Sequence, residues 1–339
     1  MDIREKIDAL VKLGNYLEKS LKENTLDNLV SRAITVNPWF TRENINQALE
    51  AITKSFLGQE SLDGVVSKYA INGIQRKRVG LVLAGNIPAV GFHDILCTFL
   101  CNHISVIKYS SKDDILIPHL LEQLANIDPR TSDYFIKTDR LKDFDAVIAT
   151  GGNNTSRYFE YYFKEVDHII RKSRTSISVL DGHETDQDLI ELGKDITSYF
   201  GLGCRNVSKI YIPRGYDLKK ILQVLDGFSE INNHHKYRNN YDYNMALFLL
   251  NKESFLNNST LLLKESKQIP SRIACLHYEE YDDDDQLTSL LKDSSLEIQC
   301  VVGNMALQGI EVVPFGMAQK PSITDYADGV DTIQFLLSI

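Results

Sequence analysis

The sequence predicts an α/β protein in which two domains with Rossmann-like parallel sheets follow an N-terminal helical segment. At 339 residues, the chain is long for a single hydrophobic core, so two domains are expected. Short apolar runs such as residues 79–84 and 144–150 alternate with helical stretches, which is typical of parallel strands covered on both faces. Residues 2–75 instead show apolar side chains at helical spacing.

The boundaries of these parts follow from changes in the pattern. The helical segment covers residues 1–75, and Thr41 is the predicted N-cap of one of its helices. Alternating strands and helices predict one unit over residues 76–180, completed by about 305–339, and a second over residues 181–304. Predicted strands span residues 79–84, 104–108, 144–150, 177–180, 207–212, 272–276 and 296–302. Predicted helices span residues 114–125, 186–200 and 218–228, and residues 245–250 form an apolar segment.

Composition and charge exclude some functions. The formal net charge of -9 argues against a nucleic-acid partner, because binding to a phosphate backbone depends on clusters of Lys and Arg. Five cysteines without paired spacing indicate free thiols in a reducing compartment. The charged N-terminus is unlike a signal peptide, and no apolar run approaches the roughly 18 residues of a membrane span. We therefore expect a cytoplasmic protein without a membrane span.

Polar residues and glycines follow the predicted strands at their carboxyl ends, where parallel sheets bind ligands. These residues are Asn86, Lys108 and the pair Gly151-Gly152. The glycine pair opens a helix whose free N–H groups can approach a phosphate. The chain has no G-x-G-x-x-G fingerprint, however, and a glycine pair after a strand is more often only a tight turn.

A cysteine lies between a predicted helix and a predicted strand, in the sequence Gly201-Leu202-Gly203-Cys204. The glycines allow a sharp turn, so the thiol can meet a ligand while a main-chain N–H faces the atom that it attacks. Most cysteines are small buried hydrophobes. The catalytic interpretation of Cys204 therefore depends on the stretches upstream of it.

Three stretches resemble, in order and in approximate spacing, motifs of the aldehyde dehydrogenase superfamily. Residues 79–88 resemble the strand and Asn-x-Pro turn that carry the oxyanion-hole asparagine, here Asn86. Residues 102–111 resemble the cofactor-binding strand whose lysine, here Lys108, reaches the adenosine ribose. Residues 201–204 resemble the loop that bears the nucleophile. The resemblance implies an aldehyde-dehydrogenase-like fold with a nucleotide-binding domain followed by a catalytic domain.

Within that superfamily the chain most resembles the acyl-CoA reductases related to the luminescence fatty-acid reductase. Residues 171–182 contain no glutamate where aldehyde oxidisers carry the base that hydrolyses the thioester, so an acyl-enzyme would persist. The resemblance implies NAD(P)H-dependent reduction of an acyl-CoA to the aldehyde through an acyl intermediate on Cys204. Asn86 and the N–H of Cys204 would hold the oxyanion.

The cofactor preference is predicted from the residues after the lysine. NAD-preferring relatives commonly carry a carboxylate three residues beyond it, where this chain has Ser111 between Lys108 and Lys112. Two ammonium groups without a carboxylate favour the 2′-phosphate of NADPH, with NADH as the alternative. Gly151 and Gly152 complete the predicted cofactor site.

Two other functions remain open from the sequence. One is an acyltransferase or thioesterase-like reaction that uses Cys204 without a hydride step, and the other is a non-turnover nucleotide-binding partner of an acyl-activating enzyme. The expected partners are an acyl-CoA, an acyl-activating enzyme and further copies of this chain, with the N-terminal helices and residues 333–337 as surfaces for self-association.

No metal site is predicted. His93, Cys97 and Cys101 recur at helical spacing, but they lie among apolar residues without a second pair of ligands, so core packing is favoured. The acidic run at residues 279–285 is interpreted as a solvated loop and helix start, and His234-His235 as part of a surface loop.

Overall fold

Two separate sheets organise the chain, in agreement with the predicted α/β class. The structure is a computed structural model that describes residues 1–71 and 73–339. It divides into unit 1, formed by residues 1–173 and 320–339, and unit 2, formed by residues 174–319.

Unit 1 begins with helices, as predicted. They are α1 (Ile3–Lys22), α2 (Asp27–Val36), α3 (Arg42–Ala51), a π-helical turn (Ile52–Phe56) and α4 (Gln59–Lys68). The side chain of Asp2 caps α1 by accepting from the N–H of Glu5, and the Glu5 carboxylate accepts from the N–H of Asp2. The predicted N-cap Thr41 accepts from the N–H of Asn44. The apolar face of α1 is buried in the core of this unit. This packing stabilises the N-terminal helices, because most of a helix's stability in a protein comes from burying its apolar face.

The sheet of unit 1 is parallel. Its elements are β1 (Arg78–Val82), α5 (Phe92–Leu100), β2 (Ile104–Lys108), α6 (Leu116–Ile127), a 3₁₀ helix (Pro129–Tyr134), β3 (Phe135–Lys137), β4 (Ala146–Thr150), α7 (Asn153–Tyr162) and β5 (Asp167–Arg171). The strand order is β3-β2-β1-β4-β5. Val82 pairs with Lys108 on one side and with Ala149 on the other, so the carboxyl ends of β1, β2 and β4 meet at one edge.

The sheet of unit 2 is larger. Its elements are β6 (Thr175–Val179), α8 (Asp186–Thr197), a 3₁₀ helix (Ser198–Gly201), β7 (Val207–Pro213), α9 (Leu218–Leu225), a 3₁₀ helix (Asp226–Asn233), α10 (His235–Leu250), β8 (Leu256–Asn257), β9 (Leu262–Glu265), β10 (Cys275–Tyr281), α11 (Asp284–Asp293), β11 (Ile298–Val302) and β12 (Val312–Val313). The order is β12-β11-β6-β7-β10-β9-β8, parallel except for the β8–β9 pair.

The C-terminal residues return to unit 1 through a 3₁₀ turn (Ala327–Gly329) and α12 (Thr332–Ser338). Ile333 and Leu336 are both 0% exposed. The prediction that residues 333–337 offer a surface for self-association is therefore wrong, because these side chains belong to the core of unit 1.

A buried ion pair connects α12 to the rest of unit 1. Arg171 Nη1 lies 2.5 Å from both carboxylate oxygens of Asp94, and Arg171 Nη2 donates to Thr332 Oγ1 at 2.9 Å. This pair links the end of β5 to the first turns of α5 and α12. The carboxylate and hydroxyl partners of its two terminal nitrogens are what make this buried guanidinium tolerable.

The unit boundaries differ from the predicted ones. The prediction assigns residues 76–180 to the first unit, but β6 pairs with β7 and β11 in the second sheet, so the boundary falls at residue 173. Residues 305–319 likewise belong to unit 2, because β12 pairs with β11. The nucleotide-binding and catalytic roles given to the two units stay predictions.

Three local predictions are corrected. Residues 245–250 are the last turns of α10 and not a separate apolar segment. His235 is the first residue of α10 and His234 is its N-cap, so this pair starts a helix where a loop is predicted. The first part of the acidic run, residues 279–281, lies in β10, whereas Asp283 caps α11 and the predicted helix start is confirmed.

Candidate active site

The predicted cofactor residues gather at the carboxyl edge of the unit 1 sheet. Lys108 ends β2, while Gly151 and Gly152 follow β4, and the turn containing Asn86 follows β1. Lys108 is exposed, and so are Ser111 and Lys112 in the loop after β2. This arrangement presents two ammonium groups beside the end of the central strand, which is where open α/β sheets bind ligands.

The turn with Asn86 is packed tightly against the loop after β2. Asn86 is half-buried. A Cβ on Gly85 would lie 2.7 Å from Ser110 Oγ and 3.0 Å from the main-chain nitrogen of Asp113, so only glycine fits there. The buried Asn37 also donates from Nδ2 to the carbonyl of Gly85 at 3.1 Å.

A buried carboxylate also supports this turn. Asp113 is 2% exposed, and its Oδ2 accepts from the N–H of Ala89 at 2.7 Å while Oδ1 accepts from the N–H of Leu116 at 3.2 Å. Ala89 has a left-handed φ of 53°. Burial raises the pKa of Asp113 to about 6, although the main-chain N–H groups act in the opposite direction.

The glycine pair after β4 leads directly into α7. A Cβ on Gly151 would lie 3.0 Å from the ring of Phe159, so a larger residue would press on the helix. Gly152 is the N-cap of α7, with an extended backbone. The first N–H groups of α7 thus have no partner within the helix, and such a terminus can receive an anionic group.

In unit 2, the segment before Cys204 has an unusual backbone. Tyr199, Phe200 and Gly201 have consecutive left-handed φ values of 50°, 60° and 76°. Two of them are not glycines, and each such residue costs on the order of 1–3 kcal/mol. Strain of this kind persists only where surrounding contacts determine the loop conformation, as they do at many functional sites.

Asn206 supplies those contacts. It is 2% exposed, its Oδ1 accepts from the N–H of Gly203 at 2.8 Å, and its Nδ2 donates to the carbonyls of Ser198 at 2.7 Å and Asp195 at 3.0 Å. One side chain therefore fixes both ends of the segment that carries Cys204. The carbonyl of Cys204 accepts from the hydroxyl of Ser176 at 3.1 Å.

The five thiols differ in their surroundings. Cys97, Cys101 and Cys275 are buried, and burial raises the pKa of Cys97 and raises those of Cys101 and Cys275 to about 12. These thiols are inert at neutral pH. Cys204 and Cys300 are half-buried, and the sulfur of Cys300 lies 3.0 Å from the hydroxyl of Ser176 within the sheet.

A histidine packs against the Cys204 segment. The ring of His234 lies 4.2 Å from the ring of Phe200 and is stacked on His235 at 5.4 Å. His234 also accepts from the N–H of Tyr237 as the cap of α10. The sequence gives no sign of this contact, because the two rings are 34 residues apart in the chain.

Glu184 is the glutamate nearest in sequence to residues 171–182, which contain none themselves. Its Oε1 accepts from the N–H of Asp181 at 2.6 Å, and its Oε2 from the hydroxyl of Tyr216 at 3.2 Å. Glu184 follows the carboxyl end of β6, whereas the Cys204 loop precedes the parallel β7. A five-residue strand is about 15 Å long, so Glu184 and the Cys204 loop lie at opposite ends of these neighbouring strands.

Groups of His, Cys, Asp and Glu that could hold a metal ion are absent from residues 1–71 and 73–339. The face with Cys97 and Cys101 is buried in the core, and His93 packs against Phe56 and Tyr326, so the core interpretation is confirmed. Over those same residues, no helix is both long and apolar enough to cross a membrane.

Each unit thus holds part of the predicted site. Unit 1 contains Asn86, the loop after β2 with its two lysines, and the glycine pair, and unit 2 contains Cys204. Sequence reasoning missed the supporting residues Asp113, Asn206 and Asn37. Only Asn206 has a local signal, because it follows Gly203 by three residues and Asn side chains often bond to nearby main-chain N–H groups, whereas Asn37 and Asp113 have no glycine near them in the sequence.

Comparison with known proteins gives a family and a fold. The family model for acyl-CoA reductase (LuxC) matches residues 18–226, which is more than half of the chain. No curated protein matches the sequence.

Solved aldehyde dehydrogenases share the fold. Aldehyde dehydrogenase 21 from Physcomitrella patens, in complex with the reaction product succinate, is 10% identical over 100% of this chain and 84% of its own, with a TM-score of 0.71. The Mycobacterium tuberculosis enzyme complexed with NAD+ is 12% identical over 93% and 77%, with a TM-score of 0.65. The Bartonella henselae enzyme is 10% identical over 91% and 75%, with a TM-score of 0.63. The aldehyde-dehydrogenase-like fold predicted from the sequence is confirmed.

Proposed function

The chain belongs to the acyl-CoA reductase (LuxC) family, and from that premise we propose that Cys204 carries the acyl group while an acyl-CoA is reduced to the aldehyde. Membership makes the protein an oxidoreductase that acts on acyl-CoA. The observation that supports Cys204 is its loop, because a strained backbone and the buried Asn206 hold a half-buried thiol in one place.

The first step is acyl transfer to the enzyme. The Cys204 thiolate forms a bond to the carbonyl carbon of the acyl-CoA, and the bond from that carbon to the CoA sulfur breaks, so CoA leaves as its thiolate. The side-chain amide of Asn86 and the N–H of Cys204 donate to the oxyanion. Removing one such donor typically lowers the rate by about 10²- to 10³-fold.

A reduced nicotinamide, when bound, supplies the hydride that brings the acyl group to the aldehyde level. Two observations favour reduction over hydrolysis. Residues 171–182, where aldehyde oxidisers carry the water-activating base, contain no glutamate. The nearest glutamate, Glu184, lies at the opposite end of the strands from the Cys204 loop. An acyl-enzyme without such a base persists until it is reduced or transferred.

The test is intact mass spectrometry with acyl-CoA in the absence of a nicotinamide. Wild type gains one acyl group, Cys204→Ser gains none, and the matched control Cys300→Ser behaves as wild type. Adding NADPH then releases the aldehyde and consumes the cofactor. No adduct on Cys204 in wild type would refute the proposal, and an adduct that never yields aldehyde would favour acyl transfer or a non-turnover partner role.

We further propose NADPH as the preferred cofactor, held by Lys108, Ser111 and Lys112 with Gly151 and Gly152 at the start of α7. Three exposed polar side chains at the end of β2 are available to a 2′-phosphate. The carboxylate of Asp113 is already occupied by the N–H groups of Ala89 and Leu116.

Cofactor preference is tested by kcat/KM for NADPH and NADH under the same conditions. Ser111→Glu should lower the NADPH to NADH ratio by at least about tenfold, because it sets a like charge against the phosphate. Ser31→Glu makes the same change on the exposed side of α2 and should leave the ratio unchanged. A wild type that prefers NADH would contradict the proposal.

Two partners from the family resemblance remain proposals: an acyl-activating enzyme and further copies of this chain. On α7, Tyr158, Tyr161 and Tyr162 are 65%, 71% and 70% exposed, and an aromatic surface of this kind is suited to association. Light scattering of the purified chain should therefore give a mass above that of one copy. A monomer at working concentration would contradict self-association.

A further inference from the structure

One buried carboxylate joins the turn that carries Asn86 to the loop that follows Lys108. Asp113 is 2% exposed, whereas its neighbours Lys112 and Asp114 are exposed. Its two oxygens accept from main-chain N–H groups in different segments, at Ala89 in the turn and at Leu116 at the start of α6. A single side chain thus fixes two segments that are 27 residues apart.

The bond to Ala89 acts on a strained residue. Ala89 has a left-handed φ of 53°, which alanine rarely adopts. A hydrogen bond to an ionised acceptor is stronger than one between neutral groups, so Asp113 can hold the Ala89 peptide in this conformation. The conformation of Ala89 in turn determines how the Asn86 turn ends.

The Asn86 turn and the loop after β2 are also in direct contact. The position of a Cβ on Gly85 is already within 2.7 Å of Ser110 Oγ and 3.0 Å of the Asp113 nitrogen. The carbonyl of Lys108 accepts from the N–H of Leu83 at 3.1 Å, immediately before the turn. A displacement of the loop after β2 is therefore transmitted to the turn.

We propose that Asp113 is a positioning residue that couples cofactor binding at the Lys108–Lys112 loop to oxyanion stabilisation by the Asn86 turn. This inference rests on the proposed function of both segments. It gives the chain a means by which an occupied cofactor loop improves the acylation of Cys204, since one carboxylate sets the geometry of both.

The experiment measures acylation of Cys204 by intact mass, with and without saturating NADP+, which cannot donate a hydride. Wild type should acylate at least about fivefold faster with NADP+, in the range of ordinary coupling between sites. Asp113→Asn should acylate at least about tenfold more slowly and lose the effect of NADP+, and its Kd for NADP+ should rise at least about fivefold, in keeping with that range.

Three further variants separate coupling from folding. Asp113→Ser keeps an oxygen that can cap the Leu116 N–H but cannot reach Ala89, so it should fold and still lose the NADP+ effect. Asn37→Ala removes the bond to the carbonyl of Gly85, together with the bond from the N–H of Trp39, and leaves the loop after β2 unchanged, so it should slow acylation without changing the Kd for NADP+. Asp114→Asn removes a neighbouring exposed charge and should resemble wild type.

The outcomes are distinguishable from those that test the proposed function. If wild type forms no adduct on Cys204, the proposed function and this inference both fall. If wild type acylates but NADP+ has no effect, or if Asp113→Asn and Asp113→Ser retain both the rate and the NADP+ effect, only the coupling is refuted. A lowered Tm with unchanged acylation and Kd would make Asp113 a purely structural residue.

Discussion

Replacing Asn206 with alanine tests how the protein positions its nucleophile. The side chain accepts from the N–H of Gly203 and donates to the carbonyls of Ser198 and Asp195. The change to alanine deletes all of these bonds. It also releases the segment in which Tyr199 and Phe200 are held in left-handed conformations.

The expected loss of stability follows from the groups left behind. Gly203 is buried, so its N–H would be left without its partner at a cost of about 1–3 kcal/mol, and each remaining lost bond adds roughly 1 kcal/mol. A total of about 3–5 kcal/mol lowers the Tm by roughly 6–20 °C for units of this size. The effect on acylation should be larger, because displacing a reacting group by about 1 Å can lower a rate by 10²-fold.

The assay is the rate of adduct formation on Cys204, measured well below the unfolding transition of the variant. Asn304→Ala is the matched control, because Asn304 is exposed and its bond to Asp188 lies on the surface, so its stability should change by less than about 0.5 kcal/mol. Asn206→Asp keeps an acceptor for Gly203 but directs negative charge at two carbonyls, so it should be at least as impaired. Acylation of Asn206→Ala at the wild-type rate while folded would refute the role given to this side chain.

Three other predictions concern unit 1. Asp94→Asn leaves the guanidinium of Arg171 buried without its charge partner, so unfolding by urea should show a loss of about 3–5 kcal/mol. Lys6 is buried, which lowers its pKa to about 8, so the unfolded chain binds the extra proton between about pH 8 and 10 and stability should rise with pH in that window. Lys6→Met should remove that rise, whereas an unchanged pH dependence would contradict it. Gly85→Ala should slow acylation because its Cβ meets Ser110 Oγ at 2.7 Å and the main-chain nitrogen of Asp113 at 3.0 Å. Adding Ser110→Gly relieves the closer contact and should restore part of the rate; no restoration would place the defect elsewhere.

The strands could be predicted because parallel strands buried on both faces are continuous apolar runs. The helix α10 could not, since its buried positions are Tyr237, Tyr241, Asn244 and Phe248. These follow helical spacing, but tyrosine and asparagine do not form an apolar stripe, so the sequence indicates only an apolar segment at residues 245–250. Burial of Asn244 depends on its bond to the carbonyl of Ile273, which no local pattern reveals.

The acidic run at residues 279–285 shows that long-range contacts also limit the prediction of a strand. Glu279 lies in β10, and its carboxylate accepts from the ammonium group of Lys209 on the adjacent β7. Lys209 is 0% exposed, and a charge that deep requires a partner. A carboxylate whose partner is 70 residues away resembles a solvated one in sequence. Charge patterns therefore predict exposure only where the opposite charge is local.

The two candidate catalytic segments are built on one principle, although they lie in different units. Each contains residues with left-handed φ, Ala89 in one and Tyr199 with Phe200 in the other, and each is held by a buried polar side chain that accepts from a main-chain N–H. The supporting residues Asp113 and Asn206 do not perform the chemistry, so their loss should slow acylation without abolishing it. Loss of the Cys204 sulfur should abolish the adduct altogether, because no backbone adjustment can replace a nucleophile.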